Sequence, residues 1–104
     1  MLKRNPNVKP SLPGEILSEL FLKDRGVTIK AFADAVGYTP KHISNVIHGK
    51  ARIEADLATK IAAVLGTTVE IWLRLQNTMD MWNARQKMKG WKPKTVFYNP
   101  ESRA

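Results

Sequence analysis

Cysteine is absent from this 104-residue chain, which excludes a disulfide framework and a thiolate metal site. Long apolar runs are missing as well: no window approaches the roughly twenty apolar residues that a membrane span requires. Strand-type alternation is scarce, while apolar residues recur at three- and four-residue spacing throughout, so the chain is expected to be all-α. Lys3 and Arg4 lead into Pro6, Asn7 and Pro10 rather than into an apolar stretch. No signal peptide is therefore expected, and a cytoplasmic, bacterial-type protein is the simplest reading. The length suits one compact domain with short tails.

Acidic residues are few and unevenly placed. Lys and Arg number 17 against 9 Asp and Glu, a formal net charge of +8. Between residues 13 and 82 the signs balance, eight bases to eight acids. The excess sits in the flanks: Lys3, Arg4 and Lys9 before that span, and Arg85, Lys87, Lys89, Lys92, Lys94 and Arg103 against Glu101 after it. Within the balanced span, residues 28–52 still carry Lys30, Lys41, Lys50 and Arg52 against Asp34 alone. Basic flanks around a locally basic centre favour a polyanion, most often nucleic acid. The alternative for either tail is solubility alone.

Constellations for catalysis are lacking. His42 and His48 lie six apart without a carboxylate at ligand spacing, so a metal site is not expected. Ser44 follows His42 by two residues, an offset that sends the side chains to different sides of a helix. No glycine-rich phosphate loop is present. Neither an enzyme nor a cofactor is expected.

What is present is a helix-turn-helix pattern at 28–49, TIKAFADAVGYTPKHISNVIHG. A first helix is expected from about Pro13 to Lys23, burying Ile16, Leu17, Leu20 and Phe21, with Gly26 ending it. A second begins after Thr28, with Val27 and Phe32 as a hydrophobic staple across the cap. Gly37 supplies the left-handed backbone of the turn, and Ala33 leaves room for the next helix to cross closely. Thr39 is placed as N-cap of the third helix, with Pro40 in its first turn. Tyr38 and Ile43 form a matching staple, and Gly49 closes the helix. Ile43, Val46 and Ile47 share a buried stripe. His48 is placed to satisfy a carbonyl at the helix end.

A fourth helix is expected over about 55–65, with Leu57, Ile61, Val64 and Leu65 inward. A fifth starts after Thr67-Thr68 and continues to about Lys89, with Trp72, Leu75, Met79 and Trp82 in register, broadened by Ile71, Leu73 and Met81. At about twenty residues it is longer than its own domain can cover. A second copy of the chain is the economical partner, and Leu73, Met79, Met81 and Trp82 are the candidate interface residues. A short strand is expected at 95–98.

The outward side of the third helix is polar, short and partly basic, the character of a base-reading element. Lys41 can pair with guanine acceptors or with phosphate, Ser44 is sequence-tolerant, and Asn45 can bond adenine through two atoms. His42 can donate or accept, although an exposed histidine is usually only solvated. The hydroxyl of Thr39 and the free amides beside it suit a phosphate oxygen. Thr28, Lys30, Lys50 and Arg52 are the candidates for the phosphate backbone flanking the groove, with a solvated surface as the plain alternative for the bases.

Three pieces of the chain resemble the HigA antitoxin family, the virulence-associated-protein-I-like regulators of the lambda-repressor/Cro type. They are PGEIL at 13–17, the helix-turn-helix with its closing Gly49-Lys50, and GTTVEIWLRLQNTMDMW at 66–82. The last is the narrowest signature, through Trp72 to Gln76, Asp80 and Trp82. The resemblance implies a five-helix lambda-repressor-like domain with a long last helix and basic tails: an arm at 1–12, the domain at 13–89 and an aromatic basic tail at 90–104. It further implies an antitoxin paired with a HigB-type ribonuclease toxin, acting as a dimer that represses its own operon at a palindromic operator. Carried over to this chain, the groove-facing positions are Thr39, Pro40, Lys41, His42, Ser44 and Asn45. Glu54 departs from a serine-type cap, so the fourth helix should start more weakly; Leu12 and Met79 also depart from the family pattern, away from the reading positions.

Glu15, Glu19 and Asp24, remote from the reading head in sequence, would suit a basic ribonuclease surface. A stand-alone repressor without a toxin is the second reading, and an adaptor using the fold for protein contacts alone is a third.

Overall fold

Apolar residues at helical spacing dictate five helices packed around one core in the computed structural model, which describes residues 8–99 and 101. The first, α1 (Pro13–Ile16), passes into a π-helical turn at Leu17–Leu22, and α2 (Ile29–Val36), α3 (Pro40–Ile47), α4 (Ala55–Leu65) and α5 (Val69–Lys87) follow. Among the described residues there is no strand. The 95–98 segment expected as one has no partner strand to pair with, and Phe97 stands 96% exposed.

Three helix starts follow one chemical rule. The hydroxyls of Thr28, Thr39 and Thr68 accept the amides of Ala31, His42 and Ile71, three residues on, as N-caps do. α4 lacks that device: Glu54 makes no side-chain cap bond, in keeping with the weaker start expected of it. Its other end is served from outside, where Arg25 Nη1 donates to the Leu65 carbonyl at 2.8 Å. Gly37, at φ 76° and ψ 27°, makes the turn between α2 and α3 in the left-handed region.

The core is built from Leu17, Phe32, Ile43, Ile53, Ile61 and Trp72, each at most 1% exposed, with Ala33 fully buried where α2 meets α3. Trp72 faces Phe21 edge-on at 5.3 Å, and its indole N–H donates to Thr67 Oγ1 at 2.7 Å. The residues opening α1 lie on the backbone of α3. A Cβ on Gly14 would fall 2.0 Å from the Val46 carbonyl oxygen, so only glycine permits the approach. Residues just before α1 also pack back: Pro10 is buried, Lys9 Nζ lies 5.8 Å from the centre of the Trp82 ring, and Leu12 sits beside Gly49. The remainder of the expected basic arm, 1–7, lies outside the described residues.

Several expectations are corrected. The π turn widens the helical repeat, so Leu22 enters the core in place of Leu20, which is 61% exposed. A 3.6-residue reading puts Leu20 inward; a turn closed by Lys23 N–H on Ser18 O, five residues back, does not. Val64 is exposed on α4 rather than inward. Met79 is buried in the chain's own core, which removes it from the free face expected to meet a second copy. Leu73 and Met81 remain exposed, and Trp82 is half-buried. The last helix stops at Lys87, two residues short of the expected end.

Candidate nucleic-acid interface

α3 presents two faces. Ile43 and Val46 turn inward and are fully covered, while Lys41 is exposed and His42, Ser44 and Asn45 are half-exposed. At its start, Thr39 Oγ1 accepts the His42 amide at 3.1 Å. Pro40, the first helical residue, has no N–H to satisfy, and the Lys41 amide has no acceptor within the helix. The end that would approach a phosphate thus carries a hydroxyl, an unspent amide and a lysine.

Some of the polar tips are committed and others free. The His42 ring stacks on Tyr38 with centroids 5.1 Å apart and planes 24° from parallel, and Lys60 Nζ lies 4.9 Å from the centre of the Tyr38 ring. That stack fixes the direction of His42, and it shows Tyr38 bracing α3 as well as packing on the core. His48 Nδ1 is 2.8 Å from the Ser44 carbonyl, so this nitrogen carries a proton and donates, as expected of a residue at a helix end. Its 3.4 Å approach to Ser44 Oγ draws that hydroxyl toward the protein. The side chains of Lys41 and Asn45 have no hydrogen-bond or ionic partner among the described residues. They are the two reading candidates left uncommitted.

The phosphate candidates separate in the same way. Lys30 at the start of α2 and Lys50 after α3 are exposed, and Thr28, also exposed, keeps its hydroxyl on the Ala31 amide. Arg52 is corrected. Its Nη1 and Nη2 reach the Asp80 carboxylate of α5 at 2.9 and 2.6 Å, a fork-on-fork pair, and its Nε lies 4.0 Å from Glu54. The hydrogen bonds from Arg52 hold the Asp80 carboxyl below its ordinary range against the opposing effect of burial, with Gln76 helping; the same bond raises Arg52. Of the four candidates Arg52 is the one whose fork is already occupied.

Gln76, given no role by the sequence beyond its place in the family signature, supports this surface from behind. Gln76 lies within the apolar run of α5 yet is buried, its Oε1 accepting the Ile53 amide at 2.8 Å and its Nε2 donating to Asp80 at 3.0 Å. A glutamine one residue after Leu75 and three before Met79 sits in the buried sector, and that was the available signal: a polar group there must find partners. The proposed acids lie elsewhere, on the first helix and the turn after it. Glu15 accepts the Leu12 amide at 3.2 Å, Glu19 pairs with Lys23 at 2.7 Å, and Asp24 is exposed.

A helix-turn-helix family pattern matches residues 19–72. Over 81% of its length the chain is 39% identical to antitoxin HigA-1 of Vibrio cholerae serotype O1, of which it covers 79%. Among solved structures, antitoxin GraA in complex with its operator superposes with a TM-score of 0.75 at 33% identity, covering 93% of this chain and all of that one. An addiction module antidote protein of a HigA family from Coxiella burnetii gives a TM-score of 0.78 at 29% identity, over 88% of this chain and all of that one.

Proposed function

The chain belongs to the HigA antitoxin family of helix-turn-helix proteins, and from that premise we propose that it is the antitoxin of a type II pair. In this reading it neutralises a HigB-type ribonuclease toxin in the cytoplasm. As a dimer it also represses its own operon, setting two copies of α3 about one DNA turn, ~34 Å, apart in the major groove of a palindromic operator. The observation that carries the reading is α3 itself, a short helix braced from within by Ile43 and Val46 that leaves Lys41 and Asn45 uncommitted at its outer face. Its support is the relative solved with its operator and the relative named as an antitoxin.

Roles divide accordingly. Lys41, His42, Ser44 and Asn45 face bases, Thr39 and Pro40 set the entry of the helix, and Thr28, Lys30 and Lys50 meet the phosphate backbone. Leu73 and Met81 on α5, with Trp82, form the contact with the second copy. Glu15, Glu19 and Asp24, with Leu20 exposed among them, face the toxin.

Lys41→Ala is expected to weaken operator binding by about 1–3 kcal/mol while leaving binding to random duplex nearly unchanged. Fluorescence anisotropy on both duplexes at several salt concentrations measures it, and equal losses would make Lys41 a backbone contact. The broader reading is tested by co-expression with the adjacent reading frame. A small basic protein that co-purifies and loses ribonuclease activity on binding supports the antitoxin. Operator binding without such a partner would instead mark a stand-alone repressor.

A further inference from the structure

The loop after the reading helix is tied at both ends, and one tie comes from α5, more than twenty residues on in the chain. At its start the Asn45 carbonyl accepts the Lys50 and Ala51 amides at 2.8 and 3.1 Å. At its end the Ile53 amide is held by Gln76, which is in turn bonded to Asp80, and Asp80 grips Arg52 through two bonds. Lys50 belongs to the first tie through its own amide, and its side chain stands exposed. A loop whose amides and arginine are fixed in advance presents its lysine to a phosphate with the backbone part of the ordering cost already met.

We propose that Gln76 and Asp80 are positioning residues for DNA binding: they hold loop 49–54 so that Lys50 meets the operator backbone, and Arg52 serves this end through Asp80 rather than by touching phosphate. The inference rests on reading α3 as the DNA-facing helix. It assigns to α5 a second task, apart from its exposed Leu73 and Met81 and carried by residues on its covered side.

The test is a double-mutant cycle on the full chain with Arg52→Gln, Asp80→Asn and both together, titrated with a duplex carrying the chain's own promoter. Positioning predicts that each single variant binds about three- to tenfold more weakly. The double variant should be no weaker than either single, and the slope of log affinity against log salt should not change. A phosphate-binding Arg52 predicts otherwise: Arg52→Gln would flatten that slope by about 0.9, and Asp80→Asn, by releasing the guanidinium, would tighten binding. Either result overturns the proposal, as would a pair that lowers the melting temperature but leaves the affinity of the folded protein intact. If the unsubstituted chain shows no preference for its promoter, the functional reading fails first. Amide exchange then still tests the tether, because Asp80→Asn should speed exchange at Ile53, whose amide is held by Gln76, and an unchanged rate would refute it.

Discussion

Replacing Gly14 with alanine is expected to lower unfolding stability by about 3 kcal/mol, the upper part of the range for overpacking. Helix propensity alone argues the opposite sign, since alanine in a helix is favoured over glycine by up to about 1 kcal/mol. Geometry decides against propensity here. The added Cβ would meet the Val46 carbonyl oxygen at 2.0 Å and the Ile47 Cα at 2.6 Å. Both atoms belong to the backbone of α3, so no side chain can rotate away and the helices must separate. Because α3 is the proposed reading helix, operator affinity should fall together with stability. Urea denaturation paired with a mobility-shift titration measures both, and a Gly14→Ala protein as stable as the parent would refute the packing described. Gly37→Ala is the matched control: nothing lies within 4 Å of its added Cβ, and its cost comes from the backbone conformation alone.

Trp72→Ala should be more damaging still, by about 3–5 kcal/mol. Domains of this size have only about 5–15 kcal/mol in total. The indole is fully buried, meets Phe21 edge-on and spends its N–H on Thr67. Its removal leaves a cavity where the first helical segment and α5 come together, and strips the Thr67 hydroxyl of its donor. The melting temperature should drop by about 12 °C or more. Trp72→Phe separates the two contributions, retaining most of the ring volume but not the hydrogen bond, and should fall between the parent and Trp72→Ala. A thermal scan followed by circular dichroism gives the answer, and a Trp72→Ala protein melting within a few degrees of the parent would contradict the burial.

Local chemistry made much of this architecture legible in the chain itself. Thr28 and Thr39 announce helix starts because a hydroxyl at that place has a nearby amide to accept, and Gly37 announces the turn because other residues resist its backbone. The missed features depend on partners distant in sequence or on a changed repeat. Arg52 reads as a free cation until α5 brings Asp80, 28 positions away, against it. Met79 belongs to the same stripe as Trp72, and periodicity finds that stripe without saying whether it faces the chain's own core or a neighbour. Thr95 to Tyr98 carry strand-favouring side chains, yet a strand exists only by pairing. The outward positions of α3 could be named in advance, whereas the stack under His42 and the bonds that hold the loop around Lys50 could not, since both are products of tertiary packing.

The wide turn at Leu17–Leu22 carries one more residue than an α-helix would use to join the same two anchors. Leu17 and Leu22, five apart, both reach the interior, whereas an ordinary helix brings residues four apart onto one face. Excising Leu20, which the interior does not use, would leave that anchoring pair at the regular spacing. The shortened protein should fold with little loss of stability, as a urea titration would show. This makes the segment a natural site for single-residue length variation among relatives, with the solvent-facing side absorbing the difference.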